Sequence, residues 1–373
     1  MPQSPIRVLI AGGGVAGLET LAALHALAGE HVELALVAPE YEFVYRPLAV
    51  EEPFAVGRIR RIRLHEAASH ANAAFFAGTI EAVNPDEKTV STSDRRTLEY
   101  DALVLAVGAT AAPAIPHATT WDDRADAELL GGLLQDFEHG YSRRLAVVIP
   151  PGPSWPLRAY ELALLITLEG KSMGVGVETT IVTPEPSPLT ILGSRAEAVV
   201  ARELKVAGIS VVSAAQANVE PDHPVAVVLQ PSGRRLVVDR VIALPELHGR
   251  QIAGIPVDEN GFTEVDEYCR VRGLDDVWAI GDVAAFPLKS GGFAGEQAGV
   301  AAEDIAAAAG AAIEPRRFDP VGREELAGLP AGRFLESWLG AGDDGLTTHL
   351  PTLGVPVLTY LQRDLQAGWR GNG

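Results

Sequence analysis

RVLIAGGGVAGLETLAALHAL, Arg7 to Leu27, begins as a short apolar run and passes through a glycine turn. It continues with Leu18, Leu21, Leu24 and Leu27 at helical spacing. Gly12-x-Gly14-x-x-Gly17 lies where strand gives way to helix, the context that a dinucleotide fingerprint requires. Gly12 permits the tight turn, Gly14 lets backbone amides approach a pyrophosphate, and Gly17 lets the helix pack on the strand. The orphan N–H groups and dipole of the helix start then favour an anion. VELALVA, Val32 to Ala38, supplies a second parallel strand and closes a βαβ unit. An acidic residue commonly ends that strand and binds a ribose. Here the strand ends on Ala38, and Glu40, two residues later, is the expected substitute.

The pattern returns further along. TLEYDALVLAVGA, Thr97 to Ala109, holds a nearly continuous apolar run of the kind buried on both faces of a sheet, closed by Gly108. RLAVVIP starts a second βαβ unit, which passes through IPPGPSWPLRAYELALL, Ile149 to Leu165, into a helix and on to VETTIVTPE, ending at Glu185. RVIALPE and DDVWAIGD read as two more short strands, and an alanine-rich helical pattern runs from Ala294 to Ala312. The expected fold class is α/β, with two Rossmann-like, three-layer domains.

Composition narrows the partners. A chain of 373 residues, 47% hydrophobic, is long enough for two or three domains with their own cores. A formal charge of −19 makes nonspecific binding to nucleic acid or to an anionic membrane surface unfavourable. Cys269 is the only cysteine, which excludes an intramolecular disulfide, a Cys-x-x-Cys redox pair and a thiolate-rich metal site. The histidines form no H-E-x-x-H, so no metal is expected, and no G-x-S-x-G elbow supplies a hydrolase nucleophile. With no apolar leader and no long apolar span, the expected location is cytoplasmic.

Taken together, three segments resemble the FAD-dependent flavoproteins with two dinucleotide-binding domains, the pyridine nucleotide-disulfide reductase-like superfamily. They are TLEYDALVLAVGA, VRGLDDVWAIGDVA and PLKSGGFAGEQAGVAAEDIA. With YEFVYRPLAVEEPF after the second strand, they resemble the branch of sulfide:quinone oxidoreductases, flavocytochrome c sulfide dehydrogenases and type II NADH dehydrogenases. The resemblance implies an FAD-binding domain formed by 1–112 and 246–315, a second Rossmann-like domain at 113–245, and a tail or interface segment at 316–373. It implies that Gly108 lies at the second crossing near FAD, that Asp282 bonds a ribityl hydroxyl, and that the Gly281 backbone lies against the cofactor. Arg46 and Pro47 match the segment over the flavin. Lys289, one of four lysines in the chain, matches a position beside the pyrimidine end, where a cation stabilises the charge of a reduced flavin. Gln297 sits where quinone-reactive relatives place a helix residue near the ring, with helix packing the alternative.

The same resemblance sharpens two departures. Sulfide oxidation in this branch uses a pair of cysteines, and Cys269 alone cannot supply them. It reads as a small buried core residue. A nicotinamide dinucleotide would need a second glycine fingerprint, but Ser154, Pro156 and Ala159 stand at those places. Prolines offer no N–H to a phosphate, and Cβ atoms crowd it. NAD(P)H binding is therefore not favoured, and Trp155 becomes a candidate wall of a substrate pocket. Glu185 reads as a loop carboxylate rather than a ribose ligand.

GRIRRIRL, Gly57 to Leu64, reads as a solvated helix face or a support for the cofactor loop. Leu358, Leu361 and Leu365 form a short apolar stripe expected to pack on the core or on a second subunit, with peripheral membrane contact and a homodimer left open. The expected activity is two-electron transfer through FAD from a small-molecule donor to a quinone or other small acceptor, without a redox disulfide and with no general base identified. The alternatives are an NAD(P)H dehydrogenase with a divergent nicotinamide site, or a flavin-binding or assembly module that has lost turnover.

Overall fold

The computed structural model describes residues 4–45, 60–121, 126–222, 224–318 and 360. In chain order its parallel strands are β1 (Ile6–Ala11), β2 (Val32–Ala38), β3 (Ala74–Ala77), β4 (Ala102–Leu105), β5 (Arg144–Val148), β6 (Glu178–Val182), β7 (Ser210–Val212), β8 (Arg240–Ala243) and β9 (Val277–Ala279). The helices are α1 (Val15–Ala28), α2 (Leu64–His70), α3 (Asp126–Glu138), α4 (Leu157–Ser172), α5 (Ser194–Ala207) and α6 (Gly291–Ala308).

Two parallel sheets result. The first has the order β9-β4-β1-β2-β3, and the second runs from an edge pair at Thr119–Thr120 through β8-β5-β6-β7. The second sheet is inserted between β4 and β9 of the first. The chain leaves through Ala109–Ala112 and returns through Glu246–Gly249, and these two segments pair antiparallel.

The apolar runs follow from burial on both faces. In β1, Val8 and Ile10 join a helical core with Leu18, Leu21 and Leu24, whereas Leu9 and Ala11 join an opposite core with Val83 and Val90. The latter come from an antiparallel three-stranded sheet, Ile80–Asn84, Thr89–Thr92 and Thr97–Glu99. β5 repeats the device: Leu145 and Val147 face the helices, and Ala146 and Val148 face a second antiparallel sheet through Val219, Val227 and Leu229. Alternation on a strand sends side chains to opposite faces, so a strand between two cores loses its polar face. Each buried leucine of α1 contributes roughly 1.5–3 kcal/mol.

One expectation changes. Arg60–Arg63 is a strand paired with Glu42–Tyr45 rather than a helix face, because Ile62 alternates inward, 4% exposed, while the neighbouring Arg61 and Arg63 point out. After α6, Arg316 pairs with Glu303, and Phe318 packs edge-on against Phe286. At Tyr360 the backbone N–H donates to Glu19 Oε1 at 2.9 Å, and the side chain packs against the helical core. Leu358, Leu361 and Leu365 lie outside the described residues.

α6 is fixed to the first sheet by a buried carboxylate. Asp304 accepts Arg270 Nε at 2.6 Å and Nη2 at 2.8 Å, and Trp278 Nε1 of β9 at 2.9 Å. Removing it strands a guanidinium and a buried indole N–H. Asp304→Ala is expected to lower stability by about 2–3 kcal/mol, the guanidinium being partly solvated. Urea unfolding of the purified protein checks this, and Asp304→Asn, which keeps one acceptor, should lose less.

Candidate cofactor site

The first glycine turn is shaped by two different constraints. Gly12 has φ +120°, and a Cβ there would lie 2.1 Å from the Ala106 carbonyl oxygen. A Cβ on Gly17 would lie 1.9 Å from the Gly12 carbonyl oxygen. Both positions are therefore demanded by the fold itself. Gly14 differs: a Cβ there would meet nothing within 4 Å. It is the N-cap of α1, makes no side-chain cap, and no acidic residue occupies the first turn. Open space before uncapped amides is a cradle that an anion fits. Glu40 stands exposed just past β2, and Gly108, with φ +72°, follows β4 into open space. Arg46 and Pro47 lie outside the described residues.

The C-terminal motif comes to the same place. Gly281 opens a short turn after β9 with φ +72°, and a Cβ on it would lie 3.1 Å from Ala16 Cβ of α1 and 3.5 Å from Ala294 Cβ of α6. The starts of both helices thus converge on Gly281, with half-buried Asp282 beside it. Gln297, 1% exposed, accepts the Gly281 N–H at 2.7 Å through Oε1, while its Nε2 is buried without a partner. An orphaned donor beside the glycine turn is a second feature that suits a bound polar ligand.

Lys289 is 5% exposed. Its Nζ donates to the Asp282 carbonyl oxygen at 3.1 Å and to that of Ala284 at 2.5 Å, and lies 3.9 Å from the Phe262 ring centroid. Burial pushes its pKa down to about 8, against the attraction of Asp282 and Asp258. The ammonium thus braces the Gly281 turn from beneath. Phe262 could not be assigned from its local sequence, because only the packing of a distant loop places its ring there.

The loop from Ile149 is stitched onto this motif. Ser154 N–H donates to the Pro287 carbonyl oxygen at 3.2 Å, and Lys289 N–H to the Ser154 carbonyl oxygen at 3.0 Å. Half-buried Trp155 meets Phe293, in the first turn of α6, edge-on at 6.2 Å, and Phe293 meets Phe286 at 5.4 Å. Pro156 caps α4, and the first turn satisfies its own amides: Arg158 N–H bonds Trp155 O at 3.2 Å, and Ala159 N–H bonds Pro156 O at 3.0 Å. With Ser154 N–H also committed and four prolines lacking an N–H, few donors remain for a phosphate. Cys269 is fully buried, and burial with nearby carboxylates pushes its thiol far up, so it is not a nucleophile.

One expectation fails beyond this loop. Glu185 is not a solvent-facing loop carboxylate. Tyr160 of α4, fully buried, donates its hydroxyl to Glu185 Oε2 at 2.6 Å. Thr183 Oγ1 donates to the same oxygen at 3.0 Å and accepts Glu185 N–H at 3.2 Å. Among the described residues no group of three or more His, Cys, Asp or Glu side chains could hold a metal, and no helix is long and apolar enough to cross a membrane.

Known proteins are similar to this chain in sequence and in fold. The chain is 29% identical over 300 residues to an NADH dehydrogenase-like protein of Mycobacterium tuberculosis, covering 75% of this chain and 73% of that protein. It is 25% identical over 344 residues to the ferredoxin reductase component of a Cupriavidus chlorobenzene dioxygenase, covering 86% and 78%. In fold it is similar to the sulfide:quinone oxidoreductase of the hyperthermophilic bacterium Aquifex aeolicus, with a TM-score of 0.72, 21% identity and coverage of 80% and 76%. The family pattern described as pyridine nucleotide-disulphide oxidoreductase matches residues 6–310, and the chain belongs to that family of FAD-dependent oxidoreductases.

Proposed function

We propose that this chain passes two electrons from a small-molecule donor to a quinone or another small acceptor through bound FAD, without a protein disulfide. The observation that carries the reading is the clamp of the Ile149–Pro156 loop onto Pro287–Lys289, which brings Trp155 to Phe293 and leaves few loop amides for a second dinucleotide. The single, buried cysteine supports the absence of a redox disulfide. A nicotinamide donor is the second reading, favoured by the likeness to an NADH dehydrogenase-like protein.

In this reading 1–112 and 246–315 hold FAD, 113–245 is the second domain and 316–373 a tail. When bound, FAD supplies two-electron chemistry at flavin N5. Gly12, Gly14 and Gly17 with the α1 amides hold the pyrophosphate, and Glu40 accepts from the ribose. Asp282, the Gly281 backbone and Gly108 would line the ribityl and flavin region, and Arg46 and Pro47 are further cofactor-binding candidates. Gln297 gives its free Nε2 donor to the ligand while Oε1 keeps the turn in place. Lys289 contributes a fixed cation behind the turn, where it favours negative charge gained on reduction. Trp155 and Phe293 present an apolar aromatic wall, which suits a planar apolar acceptor and excludes water.

Three measurements test this. The purified protein should show a flavin visible spectrum that micromolar NADH, NADPH or sulfide does not bleach rapidly under anaerobic conditions. Rapid bleaching by NADH would establish the second reading, and a colourless protein that takes up no FAD would defeat both. Gly14→Ala, whose Cβ enters open space, should leave folding intact yet weaken FAD binding about tenfold, about 1.4 kcal/mol, as read by flavin fluorescence; Gly17→Ala should not yield folded protein. Lys289→Met should lower the flavin midpoint potential by on the order of 30 mV, about 1.4 kcal/mol for two electrons, in spectroelectrochemical titration.

A further inference from the structure

Glu185 lies just past β6, at the carboxyl edge of the second parallel sheet. In open α/β sheets a dinucleotide lies in the crevice outside the carboxyl ends of the strands, and an acidic residue near this position accepts from its ribose hydroxyls. Here the carboxylate is engaged from inside the protein. Tyr160 and Thr183 both donate to Oε2, and Oε1 is buried and makes no hydrogen bond. The chain beyond it is held as well: Leu189, fully buried, has φ +56°, a left-handed conformation that a leucine keeps only when its surroundings impose it.

We propose that Tyr160 is a specificity-determining residue that withholds Glu185 from the nucleotide crevice, turning a ribose acceptor into an internal strut between α4 and the end of β6. This rests on the reading of the second domain as one without a nicotinamide donor, and extends it from the proline loop to the far edge of the same crevice.

Because the unbonded Oε1 is itself buried, Glu185 meets a ribose hydroxyl in the crevice only by turning out of the interior, which breaks its short bond with Tyr160, of the kind that is strong when one partner is charged. That turn also leaves the buried Tyr160 O–H without the acceptor it has in Glu185, which costs desolvation free energy. Moreover, burial pushes the Glu185 carboxyl above its ordinary range, only partly offset by the bonds from Tyr160 and Thr183 and by the backbone N–H of Leu189. A carboxyl drawn toward its neutral form is a poorer acceptor for a sugar. Tyr160→Phe keeps the ring that fills the core and removes only the hydroxyl, so it releases Glu185 without opening a cavity.

The test compares the purified flavoprotein with its Tyr160→Phe, Glu185→Ala and Tyr160→Phe/Glu185→Ala variants by isothermal titration with NADH and with NADPH, thermal unfolding serving as the check that each variant folds. Tyr160→Phe is expected to bind at least one nucleotide threefold or more tightly than the parent, with the gain lost in the double variant and affinity in Glu185→Ala within twofold of the parent. No gain in a folded Tyr160→Phe variant overturns the proposal. So does a tenfold or greater loss of affinity in Glu185→Ala, which would mean that Glu185 already faces the ligand. Micromolar NADH binding by the parent, with the gain in Tyr160→Phe still present, would defeat the donor reading and leave this proposal standing.

Discussion

The close approach of two helix starts to Gly281 is the constraint on which the first unit depends. α1 and α6 lie side by side and enter one core, α1 with Ala16, Leu18, Leu21, Ala23 and Leu24 and α6 with Ala294, Ala298, Val300, Ala301 and Ala302. A side chain on Gly281 would press on Ala16 and Ala294 together. That contact requires β9 to lie beside β4 and β4 beside β1, as the sheet order has it. It therefore joins residues from the two ends of the described chain around one turn, although the second sheet intervenes in sequence.

Convergence of helix starts also answers an electrostatic difficulty. A chain with a formal charge of −19 repels anions at long range. Locally, α1 offers uncapped amides and no first-turn carboxylate, and Lys289 is held beneath the neighbouring turn by two carbonyl oxygens. Short-range dipoles and one desolvated cation outweigh screened surface charge within the site, because interactions away from water are weakened least.

The two Rossmann-like units have diverged at equivalent places. In the first, the glycine turn ends in open space at Gly14, and Glu40 beyond β2 is exposed. In the second, the turn is filled by proline and Trp155, its helix start bonds to itself, and the acid beyond β6 is tied to Tyr160. The scaffold tolerates both, since strand pairing in the two sheets does not use those atoms. Where the second unit lacks phosphate donors it has a backbone clamp to Pro287 and Lys289, which brings Trp155 against Phe293 of α6.

By itself the sequence determined β1, β2, β4, β5, β6, β8 and β9 and the doubled βαβ plan, because burial on both faces leaves continuous apolar runs and glycine turns leave a local signature; it left β3, β7 and the antiparallel sheets unread. It also determined that no cysteine pair exists and that the second fingerprint lacks its glycines. Arg60–Arg63, expected as a helix face or a support for the cofactor loop, is a strand, because a strand as short as this carries too few residues to distinguish the two periods. Tertiary structure alone decided that Lys289 bonds the carbonyl groups of the Gly281 turn over Phe262, that Gln297 spends one end on Gly281 N–H and keeps the other free, and that Glu185 is turned inward by Tyr160. Each of these depends on where a side chain's distant neighbours lie, and hydrogen-bond partners brought together by sheet order and helix packing leave no local pattern along the chain.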